Sequence, residues 1–181
     1  SFLNVVIDRL PHGQSIITGR SFCDHCKKKI LAINLIPVIS FILLNGKCRF
    51  CRKKISWQYP LIELITGVSF VITFILLNTY NLSPITYHLF VVSGLIAIFF
   101  TDFKYRIIPD QILVFLSMTA STYLIIYAKN DIFIHLTAGV ILFLIFLSLV
   151  LITRGKGMGL GDVKFAFVMG FILGIPKIIV A

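Results

Sequence analysis

The sequence predicts an all-α polytopic membrane protein with about five to six transmembrane helices and a small cysteine-bearing domain near the N-terminus. Three observations lead there. Of its 181 residues, 58% are hydrophobic and 13% charged, and the mean hydropathy is +0.99. That leaves too little polar sequence to cover a soluble core. Five apolar stretches approach the roughly 20 residues that a helix rising about 1.5 Å per residue needs to cross about 30 Å of hydrocarbon. The 17 Lys and Arg residues, against 7 Asp and Glu, are gathered in particular links rather than spread along the chain.

Taken in order, Ser1–Ile7 is apolar but far too short to span, and reads as the remnant of a first transmembrane helix. Residues 8–60 read as a cytoplasmic domain that holds all four cysteines. Inside it, Ile30–Leu44 is apolar but broken by Asn34, Pro37 and Ser40. It is short for a span and reads as packed on the cysteine knuckles or lying in the membrane interface. Residues 61–181 form the membrane part, with spans expected at Leu61–Leu77, Ile85–Thr101, Ile112–Ala128, Ile132–Ile152 and Phe165–Ala181. Pro176 kinks or terminates the last, and this part reads as incomplete at its C-terminal end.

Lys and Arg are retained on the cytoplasmic side of membrane proteins, whereas acidic residues count for little. Alternating the spans puts ten Lys or Arg between Arg9 and Lys54, then Lys104 and Arg106, then Arg154, Lys156 and Lys164, on one face. The other face receives the Asn78–Pro84 link, the Lys129-Asn130-Asp131 turn and Lys177. The net charge of +10 is therefore read as a topology signal with attraction to an anionic lipid bilayer, in preference to nucleic-acid binding.

The same alternation carries Asp102 and Asp162 to the cytoplasmic face, one closing the second complete span and one opening the fifth. Each has a bland reading. Asp162 can cap a helix, and Asp102 can pair with Lys104 or Arg106. Together they fit hydrolysis, because two carboxylates sharing one proton can activate water and protonate a carbonyl oxygen. Asp162 also closes the run Gly157-Met158-Gly159-Leu160-Gly161. Those three glycines are expected to permit left-handed angles and to let an extended peptide approach the main chain. The run is not a P-loop, since the Gly-Lys-Ser/Thr ending and a preceding strand are missing.

Cys23-Asp24-His25-Cys26 and Cys48-Arg49-Phe50-Cys51 make two CxxC knuckles. Four thiolates suit tetrahedral zinc, each tight turn supplying two ligands. Disulfides are the competing use, but the charge rule places the segment in the reducing cytosol. His25 has no place among four thiolate ligands.

These residues resemble a known family over nearly the whole chain. Ser1-Phe2-Leu3-Asn4-Val5-Val6-Ile7 with Arg9-Leu10-Pro11, then Gly19-Arg20-Ser21 before the first knuckle, resemble the start of bacterial type IV prepilin leader peptidases. So do Ile36-Pro37 with Ser40, Gly46-Lys47-Cys48-Arg49, Ile55-Ser56, and Tyr59-Pro60 with Glu63. Asp102 ahead of Ile108-Pro109-Asp110, and Gly157 through Lys164, look like that family's two aspartate motifs.

The resemblance implies a GxGD-type aspartyl endopeptidase of the bacterial inner membrane that removes the basic leader of prepilins or pseudopilins after a glycine. It implies that Asp102 and Asp162 are catalytic and that Cys23, Cys26, Cys48 and Cys51 bind metal. It also implies N-methylation of the new N-terminus with S-adenosylmethionine, to which Glu63 contributes. Asp110 is not carried over as catalytic; it is expected to cap the helix that follows. The alternative reading is a zinc-stapled membrane scaffold or binding protein without catalysis.

Overall fold

The computed structural model describes residues 2–17, 21–23, 25–30, 38–77, 82–155 and 157–175. Asn34, Pro37, Gly19-Arg20, Asp24, Lys156, Pro176 and Lys177, used in the sequence reading, lie outside them. Among the described residues all regular elements are helical. The chain divides into two compact units, residues 1–78 and 79–181.

The first unit holds α1 (Phe2–Arg9), α2 (Ile39–Leu43) and α3 (Gln58–Leu77). The helix α1 meets the first turns of α3, with Ile7 and Ile62 both fully buried. Asn4 Nδ2 donates to the Tyr59 carbonyl at 3.2 Å, and the Tyr59 hydroxyl donates to Asp8 Oδ2 at 3.2 Å. Further along, α3 exposes Leu64, Val68, Val71, Phe74 and Ile75. A helix apolar on every face belongs in lipid.

The second unit holds α4 (Leu82–Tyr105), α5 (Asp110–Tyr127), α6 (Ile132–Ile152) and α7 (Leu160–Leu173). Four helices, α3 to α6, are long and apolar enough to cross a membrane. The protein is thus an all-helical membrane protein, as predicted.

Four of the five expected spans differ from the helices at their ends, two of them by a full turn or more. The hydropathic stretch stops at Thr101, but α4 runs on to Tyr105, where Arg106 at φ 55° turns the chain out. The last helix starts at Leu160, earlier than Phe165, and stops at Leu173, where Gly174 takes φ 67°. At 14 residues, or about 21 Å, α7 is shorter than the hydrocarbon core.

Small residues set the close crossings, as is usual where lipid removes the hydrophobic drive between helices. A Cβ on Gly170 of α7 would stand 2.7 Å from the Ala138 carbonyl oxygen and from Gly139 Cα of α6. His135 Nδ1 lies 2.9 Å from the Phe171 carbonyl oxygen. A carbonyl can only accept, so Nδ1 carries the proton. Ala120, Leu124 and Phe171 form a buried cluster joining α5 to α7, with Tyr87 packed on it.

Candidate active site and cysteine centre

The end of the second unit where α4 gives way to α5 gathers the aspartate motifs. Asp102 sits in the last turn of α4 and is exposed. Its backbone carbonyl accepts the Arg106 N–H at 2.8 Å. The link that follows brings Ile108 against the glycine run, since a Cβ on Gly161 would lie 3.5 Å from Ile108 Cβ. Lys164 of α7 closes the junction by donating to both oxygens of Asp110 at 2.9 Å. Asp102 and Asp162 thus belong to the same end of this unit.

Asp110 is not the helix cap expected of it. Pro109 holds the N-cap position of α5 with φ −68° and ψ 126°. Asp110, in the first turn, uses its carboxylate on Lys164 instead. Sequence reasoning quoted Lys164 only as part of a motif and missed this partner. A contact across 54 residues leaves no local periodicity to detect.

Asp162 is half-buried and lies at the third helical position of α7. Its Oδ2 accepts the Gly159 N–H at 2.9 Å, and its own N–H donates back to the Gly159 carbonyl at 3.2 Å. This is a capping box in which glycine, having no side chain, uses its main chain for the return bond. Asp162 therefore starts the helix from inside it, and one carboxylate oxygen is committed to that bond.

Of the two uses expected of the glycines, left-handed backbone is not found at Gly159 or Gly161. Gly159 is extended at φ −87° and ψ 163°, and Gly161 is not among the glycines at positive φ. The left-handed turn belongs to Arg154 and Gly155, at φ 50° and 71°, which end α6. Gly155 N–H donates to the Val150 carbonyl and Arg154 N–H to the Leu151 carbonyl, the paired bonds of a Schellman motif. What Gly157 and Gly159 leave is room, while Gly161 packs on Ile108. A Cβ on Gly157 or on Gly159 would have nothing nearer than 3.7 Å.

In the first unit, Cys23, Cys26, Cys48 and Cys51 bring their sulfurs within 4.8 Å of one another. Each CxxC is the turn of a small antiparallel pairing, Phe22 with Lys29 and Lys47 with Lys54. The two turns are near copies. Lys27 N–H donates to the Cys23 carbonyl at 2.8 Å and Arg52 N–H to the Cys48 carbonyl at 2.9 Å. Both donors are left-handed, at φ 55° and 54°.

The thiols are not equivalent. Backbone N–H groups of Cys51 and Phe50 pull the Cys48 thiol down to about 6. The Lys53 N–H pulls Cys51 down, but lost solvation and the sulfurs of Cys48, Cys23 and Cys26 outweigh it and push that thiol up to about 11. Cys23 and Cys51 sulfurs stand 3.9 Å apart, close to the ligand spacing of about 3.8 Å in a tetrahedral centre with metal–sulfur bonds near 2.3 Å. The set can hold a metal ion. His25 is exposed and outside the cluster.

Glu63, the remaining candidate, is far in sequence from the cysteines and belongs to α3. Its Oε2 accepts the Val38 N–H at 2.9 Å.

Comparison with known proteins agrees with this arrangement. Residues 1–77 match the family described as Bacterial Peptidase A24 N-terminal domain. Residues 89–181 match the Type IV leader peptidase family. A protein of Bacillus subtilis named prepilin leader peptidase/N-methyltransferase is 33% identical over 174 residues, covering 96% of this chain and 68% of the relative. Proteins of the same name from Dichelobacter nodosus and Neisseria gonorrhoeae are 31% and 32% identical, covering 91% and 98% of this chain and 68% and 71% of theirs. No solved structure matches. Matched along both halves and against relatives over two thirds of their length, the chain belongs to the type IV leader peptidase family.

Proposed function

We propose that Asp102 and Asp162 are the catalytic pair of an aspartyl endopeptidase that removes the basic leader from type IV prepilins or pseudopilins after glycine. The observation that carries the reading is the junction where Ile108 meets Gly161 and Lys164 meets Asp110, which supports a common site for both aspartates. One carboxylate takes a proton from water as the hydroxyl attacks the scissile carbonyl carbon. The other gives its proton to the carbonyl oxygen. Collapse of the tetrahedral intermediate breaks the C–N bond, and the leaving nitrogen takes up a proton. Asp162 has Oδ1 for this work while Oδ2 holds the Gly159 N–H. The space beside Gly157 and Gly159 serves the substrate main chain.

On this reading the aspartates and the cysteine domain face the cytoplasm. A prepilin has its basic leader there and an apolar helix in the bilayer, so its scissile bond arrives at the rim. The basic surface of this chain would repel that leader, so recognition rests on the apolar helix. Residues 8–60 bind structural zinc through the four cysteines, and residues 61–181 carry proteolysis. Methylation of the new N-terminus uses S-adenosylmethionine, in keeping with the relatives' names. Neither anionic lipid attraction nor topology requires nucleic acid as a partner. The scaffold alternative is not favoured by the family membership.

Substitution to asparagine tests the pair. In Asp162→Asn the amide oxygen can still accept the Gly159 N–H, so α7 keeps its start. Asp102→Asn and Asp162→Asn are each expected to lower prepilin cleavage by about 10²- to 10⁴-fold, the usual worth of acid–base catalysis. Cleavage at the unaltered rate by either variant would refute the assignment.

A further inference from the structure

Val38 is the β-branched residue among those at positive φ in the described part of the first unit. It holds φ 57° and ψ −48° at the start of α2, near the strained γ-turn well that such residues avoid. A conformation of that kind persists only where surrounding contacts over-determine it. Among the described residues one such contact is the Glu63 carboxylate, whose Oε2 takes the Val38 N–H at 2.9 Å from within α3.

From that bond a connected series of contacts leads to the cysteines. Phe41 of α2 sets its ring edge-on to Trp57 at 4.9 Å, just ahead of α3. Phe41 also fills the space over Gly46, where a Cβ would stand 2.9 Å from its ring. Gly46 has φ 64°, and its carbonyl accepts the Ile55 N–H at 2.8 Å. Directly beyond lie the Lys47–Lys54 pairing and the second knuckle. Among the described residues the start of α3 and the cysteine segment are thus tied by the Phe41–Trp57 contact and by the Glu63–Val38 bond, and Glu63 supplies the tie that lies within α3.

We infer that Glu63 is a positioning residue: by accepting the Val38 amide it fixes where the cysteine segment stands on α3, and it acts on methyl transfer through that placement rather than through its charge. The methyl-transfer clause rests on the proposed function; the placement does not. An amide oxygen accepts the same N–H, so Glu63→Gln separates placement from charge, and Glu63→Ala removes both.

The test uses the full protein in lipid nanodiscs. Hydrogen exchange of the Val38 amide is expected to quicken about tenfold in Glu63→Ala, the equivalent of one lost hydrogen bond, and to stay within about twofold of the parent in Glu63→Gln. With a prepilin substrate, both variants are expected to cleave. Methylation of the mature N-terminus, read by mass, is expected to be retained in Glu63→Gln and lost in Glu63→Ala.

Three results overturn the inference. One is unchanged Val38 exchange in Glu63→Ala. Another is loss of methylation in Glu63→Gln with exchange still protected, which would assign the charge a chemical role. The third is a Glu63→Gln protein that exchanges as fast as Glu63→Ala. If Glu63→Ala fails to fold, the Glu63→Gln arm decides alone. If the parent protein does not methylate, the exchange arm decides and only the methyl-transfer reading fails.

Discussion

Asp162 shows how one side chain can join folding to chemistry. Its carboxylate caps Gly159 from inside α7, so alanine there removes the acceptor as well as the acid. Loss of such a cap costs about 0.5–2 kcal/mol. Asp162→Ala is therefore expected to melt several degrees lower in detergent than Asp162→Asn, while cleavage falls in both. Equal melting would mean the bond does not hold the helix. The cysteines give a second residue-scale expectation. Backbone N–H groups draw the Cys48 thiol down, whereas lost solvation and the neighbouring sulfurs push the Cys51 thiol up. In chelator-treated protein Cys48 should be alkylated before Cys51, as read by peptide mass, and added zinc should slow both. Alkylation of Cys51 first would contradict the ordering. The cysteine set was legible in the sequence because its spacing marks it. The partners of Asp110 and Glu63 were not, because hydrogen bonds between distant residues leave no pattern in either local segment.

Among the elements, span existence was legible and span ends were not. Ile132–Ile152 was placed to the residue because apolar sequence and helix stop together. At α4 they part company, since Asp102 and Lys104 end the apolar run while the helix continues through Tyr105. The start of α7 was hidden because glycines look like a loop, although the Gly159–Asp162 box begins a helix within them. Glycine in these helices is not uniform in its demands. At Gly170 an added methyl meets backbone of α6, whereas at Gly94 it meets the Leu116 side chain, which can shift where backbone cannot. Gly170→Ala should cost about 1–3 kcal/mol, as overpacking does, and Gly94→Ala less. Thermal unfolding in detergent would check the order. The Lys164–Asp110 pair is a weaker link, being 53% and 64% exposed. Its removal by Lys164→Gln should cost less than about 1 kcal/mol.

At the scale of the molecule, the four cysteines fall in one compact unit and both aspartates in the other. Stripping zinc, or making Cys48→Ser with Cys51→Ser, should therefore lower methylation more than cleavage. Mass measurement of the mature N-terminus reports both at once, and a parallel fall would argue against separate dependence. That the chain is a membrane protein was legible from its apolar composition, and that it is helical from the length of the apolar stretches.

The crossing at Gly170 has a mechanical consequence for α7. Its far portion is wedged against Ala138 and Gly139 and latched by His135, while its near portion leans on Ile108 and a solvated ion pair. Asp162 lies eight residues from Gly170, a lever of about 12 Å. Any widening needed to admit a peptide should then swing the Asp162 end about the Gly170 fulcrum, and amides of the first turn should exchange faster than those beside it. The reverse gradient would put the pivot elsewhere.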